Sequence, residues 1–238
     1  MRDCKSILVR TYWLATFSLF GVAALLLSVY TPTEATMGAI QKIFYLHLPV
    51  AIATFASCLV CFVASVGYAW QREMRWDRLA AAAAGVAVIL CSVVLMTGMI
   101  WGRGAWGRWW TWSPRLTFSL VLWLLYVVYL MIRASIESPE RRALVAAVYG
   151  IIAFLDVPLV YLSVRLMPDI HPVSVSLAPS MRLTLAVWFV PVFMLAAGLI
   201  AARFALDERL ATLRARAVVD EPADRVREPS SSWVGGAL

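Results

Sequence analysis

LAAAAAGVAVILCSVVLMTGMIWGRGAWGRWWTWSPRLTFSLVLWLLYVVYLMI, residues 79–132, is an apolar run, a break crowded with indoles, and a second apolar run. The two runs, 79–101 and 116–132, carry no charged side chain. Each is long enough to cross about 30 Å of hydrocarbon at 1.5 Å per residue. A backbone inside lipid must satisfy its own N–H and C=O groups, so both are read as membrane helices joined by a short aromatic connection.

The same reading extended along the chain finds further spans at 11–30, 43–69, 143–165 and 182–205. Composition agrees, since 62% of the 238 residues are apolar, only 15% are charged and mean hydropathy is +0.80. The expectation is an all-α polytopic membrane protein with six transmembrane helices in one domain, 1–205. A polar tail, 206–238, is expected to be disordered, because Asp220 to Gly235 is rich in Pro, Ser, Arg and acidic residues.

Arg2, Lys5 and Arg10 precede the first span in the manner of a signal peptide. Its apolar core from Tyr12 to Tyr30 is longer than the roughly 7–15 residues of a signal h-region, so the helix is expected to stay uncleaved. Lys and Arg collect in cytoplasmic loops. With the N-terminus inside, fifteen of them fall inside and six outside, which predicts that both termini are cytoplasmic. Three of the six outer ones are Arg103, Arg108 and Arg115, within the tryptophan segment. The net charge of +7 is spread over membrane-flanking segments, so it carries no nucleic-acid meaning. No Walker or dinucleotide-binding glycine pattern occurs, so ATP hydrolysis is not expected of this chain.

The connection Trp101–Thr117 is expected to be a periplasmic loop, with Gly102, Gly104 and Gly107 turning the backbone. A second outer loop is expected at 166–181. Five tryptophans in one connection exceed an aromatic belt, which needs one or two rings per helix end. Flat indole faces suit a flat, mostly apolar ligand, and fixed guanidinium charges suit carboxylates or phosphates at its edge.

The chain has two histidines, and both fall on the tryptophan side. His47 lies in the first turns of the second span and His171 in the connection between the fifth and sixth. Two imidazoles arriving from separate segments can meet a flat ligand from opposite faces, as the axial positions of a porphyrin iron require. No Cys or carboxylate cluster accompanies them, which argues against tetrahedral zinc. Cys58 and Cys61 form a C-x-x-C inside the second span, where packing explains them, and Cys91 is also mid-helix. No C-x-x-C-H exists for covalent haem attachment. Met96, Met99, Phe118 and Trp123 read as packing or lipid-facing positions. Asp156, deep in the fifth span and two residues before Pro158, reads as a hydrogen-bonded contact between helices, alternatively as the polar lining of a route through the membrane.

Three motifs together, Tyr45-Leu-His-Leu-Pro, the run from Trp106 through Arg115-Leu-Thr, and Ile170-His-Pro, resemble the haem exporter protein C (CcmC) family of cytochrome c-type biogenesis. The resemblance covers nearly the whole membrane region. It implies a bacterial inner-membrane protein that binds haem b reversibly at its periplasmic face and passes it to a periplasmic haem chaperone, CcmE-like, beside ABC-type transporter subunits. It further implies His47 and His171 as axial iron ligands, with Trp106, Trp109, Trp110, Trp112 and Arg115 in the haem-binding segment. Arg103 and Arg108 are added here as candidate partners of the propionates. No catalytic residue is implied, and the protein is not expected to be an enzyme. The alternative function is a permease subunit moving haem or another amphiphile through its own helices. One departure stands out. The family pattern places an acidic residue after the last tryptophan, whereas this chain has Ser113.

Overall fold

The computed structural model describes residues 2–167, 171 and 176–219. They form α1 (Arg2–Leu25), continued by a π-helical turn to Tyr30, α2 (Phe44–Gln71), α3 (Met74–Trp106), α4 (Pro114–Ser135), α5 (Pro139–Ala153), α6 (Asp156–Leu166) and α7 (Pro179–Val219). Among the described residues six helical stretches are long and apolar enough to span a membrane, α5 and α6 together making one of them. The protein is therefore all-α and multi-pass, and with six spans the start of α1 and the end of α7 fall on the opposite side from the tryptophan segment.

Local chemistry explains where the helices stop. Gly107 adopts φ +74°, the left-handed conformation that closes α3, and its N–H donates to the Arg103 carbonyl at 3.1 Å. Ser113 then sits extended at the N-cap of α4, with Pro114 at the first helical position. The expected loop of 101–117 is thus corrected to 107–113. Gly102 and Gly104 are helical and do not turn the chain. Gly104 instead admits a neighbour, since a Cβ there would collide with Cγ1 of Ile40 in the short 3₁₀ helix Ala39–Ile43.

The fifth span is broken. Pro158 has no N–H for the carbonyl of Phe154, which accepts instead from Val157 at 3.0 Å, and the helix restarts at Asp156. Below this break α5 packs against α2 and α4, whereas above it α6 lies along α4. The other outer connection runs from Met167 to Ala178, narrower than the expected 166–181.

Small side chains let the helices approach closely on the terminal side. Cys58, Cys61, Ala64, Ala80, Ala83, Ala84 and Ala87 pack around Tyr126 and Tyr129. A Cβ on Gly150 of α5 would come within 2.7 Å of Ser65 Oγ. Asp77 on α3, 3% exposed, pairs bidentately with Arg133 on α4: Nη2 donates to Oδ2 at 2.9 Å and Nη1 to Oδ1. Here α7 runs on to Val219, and Arg78 Nε donates to Glu208 Oε1 at 2.5 Å. The first residues of the expected disordered tail, 206–219, are therefore helical. Residues 220–238 lie outside the described residues.

Candidate ligand-binding site on the tryptophan side

Between α2, α3, α4 and α6, with Leu185 of α7 contributing, lies a cavity of about 340 Å³. His47, Trp101, Trp106, Trp110, Arg115 and His171 surround its upper end, and Thr54, Phe55, Cys91, Leu122 and Val160 its lower end. Most of the lining between them is aliphatic.

His47 is held from two sides. Its Nδ1 lies 2.8 Å from Thr97 Oγ1 on α3, and the same hydroxyl is 2.7 Å from the Val93 carbonyl. A hydroxyl has one hydrogen, and the carbonyl can only accept, so Thr97 donates to Val93 and accepts from Nδ1–H. That assignment leaves Nε2 as the nitrogen without a hydrogen in the neutral ring, the form a metal requires. Gly98 lies beside the imidazole, and a Cβ there would be 3.3 Å from Cε1.

His171 comes from the connection between α6 and α7. It packs edge-on to Trp101, with ring centroids 5.9 Å apart at 81°, and to Trp106 at 6.5 Å. His47 meets the same Trp101 at 6.2 Å and 48°. The indole of Trp101 therefore stands against both imidazoles. It is 3% exposed, and its Nε1 has no hydrogen-bond partner.

The structure divides the site residues expected from sequence. His47, His171, Trp106, Trp110 and Arg115 line the cavity together. Trp109, 60% exposed, and Trp112, 76% exposed, do not; Trp112 packs edge-on to Trp110 at 5.8 Å. Arg103 does not line it either, because its Nη1 donates to the Gly107 carbonyl at the end of α3. Arg108 is an exposed residue of the connection, also outside the lining. Conversely, Thr97 has no place in the sequence reading, and Trp101 stands there among the five indoles of the segment but not among the named haem-binding residues. Thr97 was visible as a hydroxyl one helical turn before Trp101.

The family described as Heme exporter protein C matches residues 2–223. The chain belongs to that family. It is 32% identical over 179 residues to Heme exporter protein C of Paracoccus denitrificans, covering 74% of each chain. It is 33% identical over 165 residues to that of Bradyrhizobium diazoefficiens, covering 68% of this chain and 63% of the other. The protein of the same name from Escherichia coli K12 is 31% identical over 160 residues, 64% of each chain.

Cys58, Cys61 and Cys91 are buried, free thiols, and among the described residues no His, Cys, Asp or Glu cluster could hold a bare metal ion. Asp156 is 5% exposed, one turn below Val160 on α6. Its Oδ2 has no hydrogen-bond partner, so that oxygen does not make the expected interhelix contact.

Proposed function

We propose that this chain holds haem b reversibly on its tryptophan side and passes it on within a cytochrome c maturation system. The observation that carries the reading is that the two histidines, distant in sequence, line one cavity against one indole. The donor set suits the cargo. His47 offers Nε2, held in place through Thr97, and His171 offers a second imidazole from another segment. Trp101, Trp106 and Trp110 supply flat apolar surface, and Arg115 at the upper end suits a propionate. Bound haem contributes an iron with two axial positions. The chain contributes the ligands, the stacking surface and the counter-charge, all of them non-covalent and hence releasable. No bond-breaking step is needed, so the protein acts as a carrier rather than an enzyme.

The recipient in this reading is a CcmE-like haem chaperone, reached from the exposed Trp109 and Trp112. ABC-type subunits on separate chains supply the energy. Both termini are then cytoplasmic, and the membrane is the bacterial inner membrane. The permease alternative gains little, since Asp156 lies beneath the cavity floor formed by buried Leu122 and Val160.

The test is the absorption spectrum of the purified protein with hemin. The native chain should give a low-spin bis-imidazole spectrum, lost in His47→Ala and in His171→Ala. Affinity should fall by more than the roughly 10–100-fold of losing an outer-shell partner. The native spectrum persisting in both single variants would reject the assignment.

A further inference from the structure

We propose that haem reaches the cavity sideways, from the bilayer leaflet on the tryptophan side, through the gap between α2 and α6. This rests on the haem-handling reading above and adds the direction of approach.

The gap follows from the helix break. Below Phe154, α5 packs on α2 and closes the bundle, and Phe62 of α2 stacks on Phe154 with centroids 4.7 Å apart at 24°. Above it, α6 keeps to α4, and among the described residues it does not run packed along α2. One wall of the cavity is therefore left without a helix against it.

The cavity reaches the protein surface on that wall. Leu48, Ala51, Ile52 and Phe55 of α2 all line it, yet Ile52 is 37% exposed. The exposed stripe continues down α2 through Leu59 and Val63, at 47% and 52% exposed, which face lipid. Toward the terminal side the way is shut. Leu122, Val160, Cys91 and Thr54 are each at most 4% exposed, and the packed tyrosines lie beneath them. Haem coming up through this chain from the terminal side would have to part that core.

Chemistry also matches the gap to the leaflet. From His47 to Phe55 the wall spans about 12 Å of helix at 1.5 Å per residue and carries no charge below His47 itself. The polar and charged groups His47, His171 and Arg115 lie at the top. An amphiphile resting in the leaflet already has its carboxylates at the interface and its apolar edge in the hydrocarbon. It can slide between α2 and α6 in that orientation, with the carboxylates never leaving the polar layer, whose loss is the costly step.

The experiment uses the full chain in liposomes carrying a phospholipid with a photoreactive diazirine at mid-acyl chain. Photolysis should mark Ala51 and Phe55 as well as the outward Leu59 and Val63, and preloading with hemin should suppress only the first pair. Labelling confined to Leu59 and Val63 would overturn the proposal. In a second arm, hemin is supplied from donor liposomes and the rise of the bound spectrum is followed. Ile52→Trp should slow loading about tenfold, equivalent to ~1.4 kcal/mol in the barrier, while Leu59→Trp loads as the native chain does. Equal rates in all three chains would also overturn it. If the native chain shows no bis-imidazole spectrum, the haem-handling reading fails on its own, and cavity labelling still decides whether the gap admits molecules from the leaflet.

Discussion

The terminal-side half of this bundle and its tryptophan-side half are built by the same helices with opposite uses of side-chain volume. On the terminal side, alanines, cysteines and Gly150 bring α2, α3, α4 and α5 together, and the buried charge pair Asp77 with Arg133 is bidentate. On the tryptophan side the side chains are large and line a cavity, where Trp101 Nε1 and Trp110 Nε1 lack partners, although orphaned polar atoms also occur on the terminal side at Ser65 Oγ and the Tyr129 hydroxyl. The first half spends its residues on stability and the second on binding. The broken span, leaning on α2 below Phe154 and on α4 above it, is where one half becomes the other.

If the halves are separable, damage to one should spare the other. The largest effect is expected from Arg133→Met, which leaves Asp77 buried without its partner and should cost about 3–5 kcal/mol of stability. This is read as a lowered unfolding temperature in detergent, with hemin affinity unchanged in the folded fraction. Loss of affinity in that fraction would break the comparison. Next, Thr97→Val should leave stability nearly intact and weaken hemin binding by roughly 10–100-fold, with Thr97→Ser restoring it. A rescue by serine separates the hydrogen bond to Nδ1 from mere packing. Trp101→Leu should cost on the order of 0.5–1.5 kcal/mol of binding beyond lost area, whereas Trp112→Leu, at an exposed ring outside the cavity, should leave affinity unmoved. The smallest effect on affinity is expected from Ser113→Asp, since Ser113 stands at the N-cap position of α4 outside the cavity lining and Asp is well suited to that position. Its effect should appear as altered haem release to the chaperone, and equal release rates would show that the family's acidic residue has no role in this background.

The spans were legible because uninterrupted apolar stretches such as 79–101 and 116–132 admit no other folded state in lipid. That His47 and His171 would share a place was legible because both fall on the side of the indoles, and both line the same cavity. What could not be read was the extent of α3. Gly102 and Gly104 favour turns by local propensity, and tertiary contact with Ile40 overrides that preference. The same extension carries Trp101 into the cavity and turns Trp109 and Trp112 out, a division that composition cannot reveal. The helical course of 206–219 was masked by its polar composition, although Glu208 reaches back to Arg78 and ties the segment to α3. Pro158 announced a disturbance near Asp156. That the chain changes neighbours there depends on residues from three other helices.

Ile40 seated against Gly104 makes the link between the first two spans a peg in the flank of α3, two residues before Trp106. Any side chain at 104 would evict that peg and pull the linker away from the helix that carries the indoles. Position 104, outside the cavity lining, is thus tied through Ile40 to the linker between the first two spans.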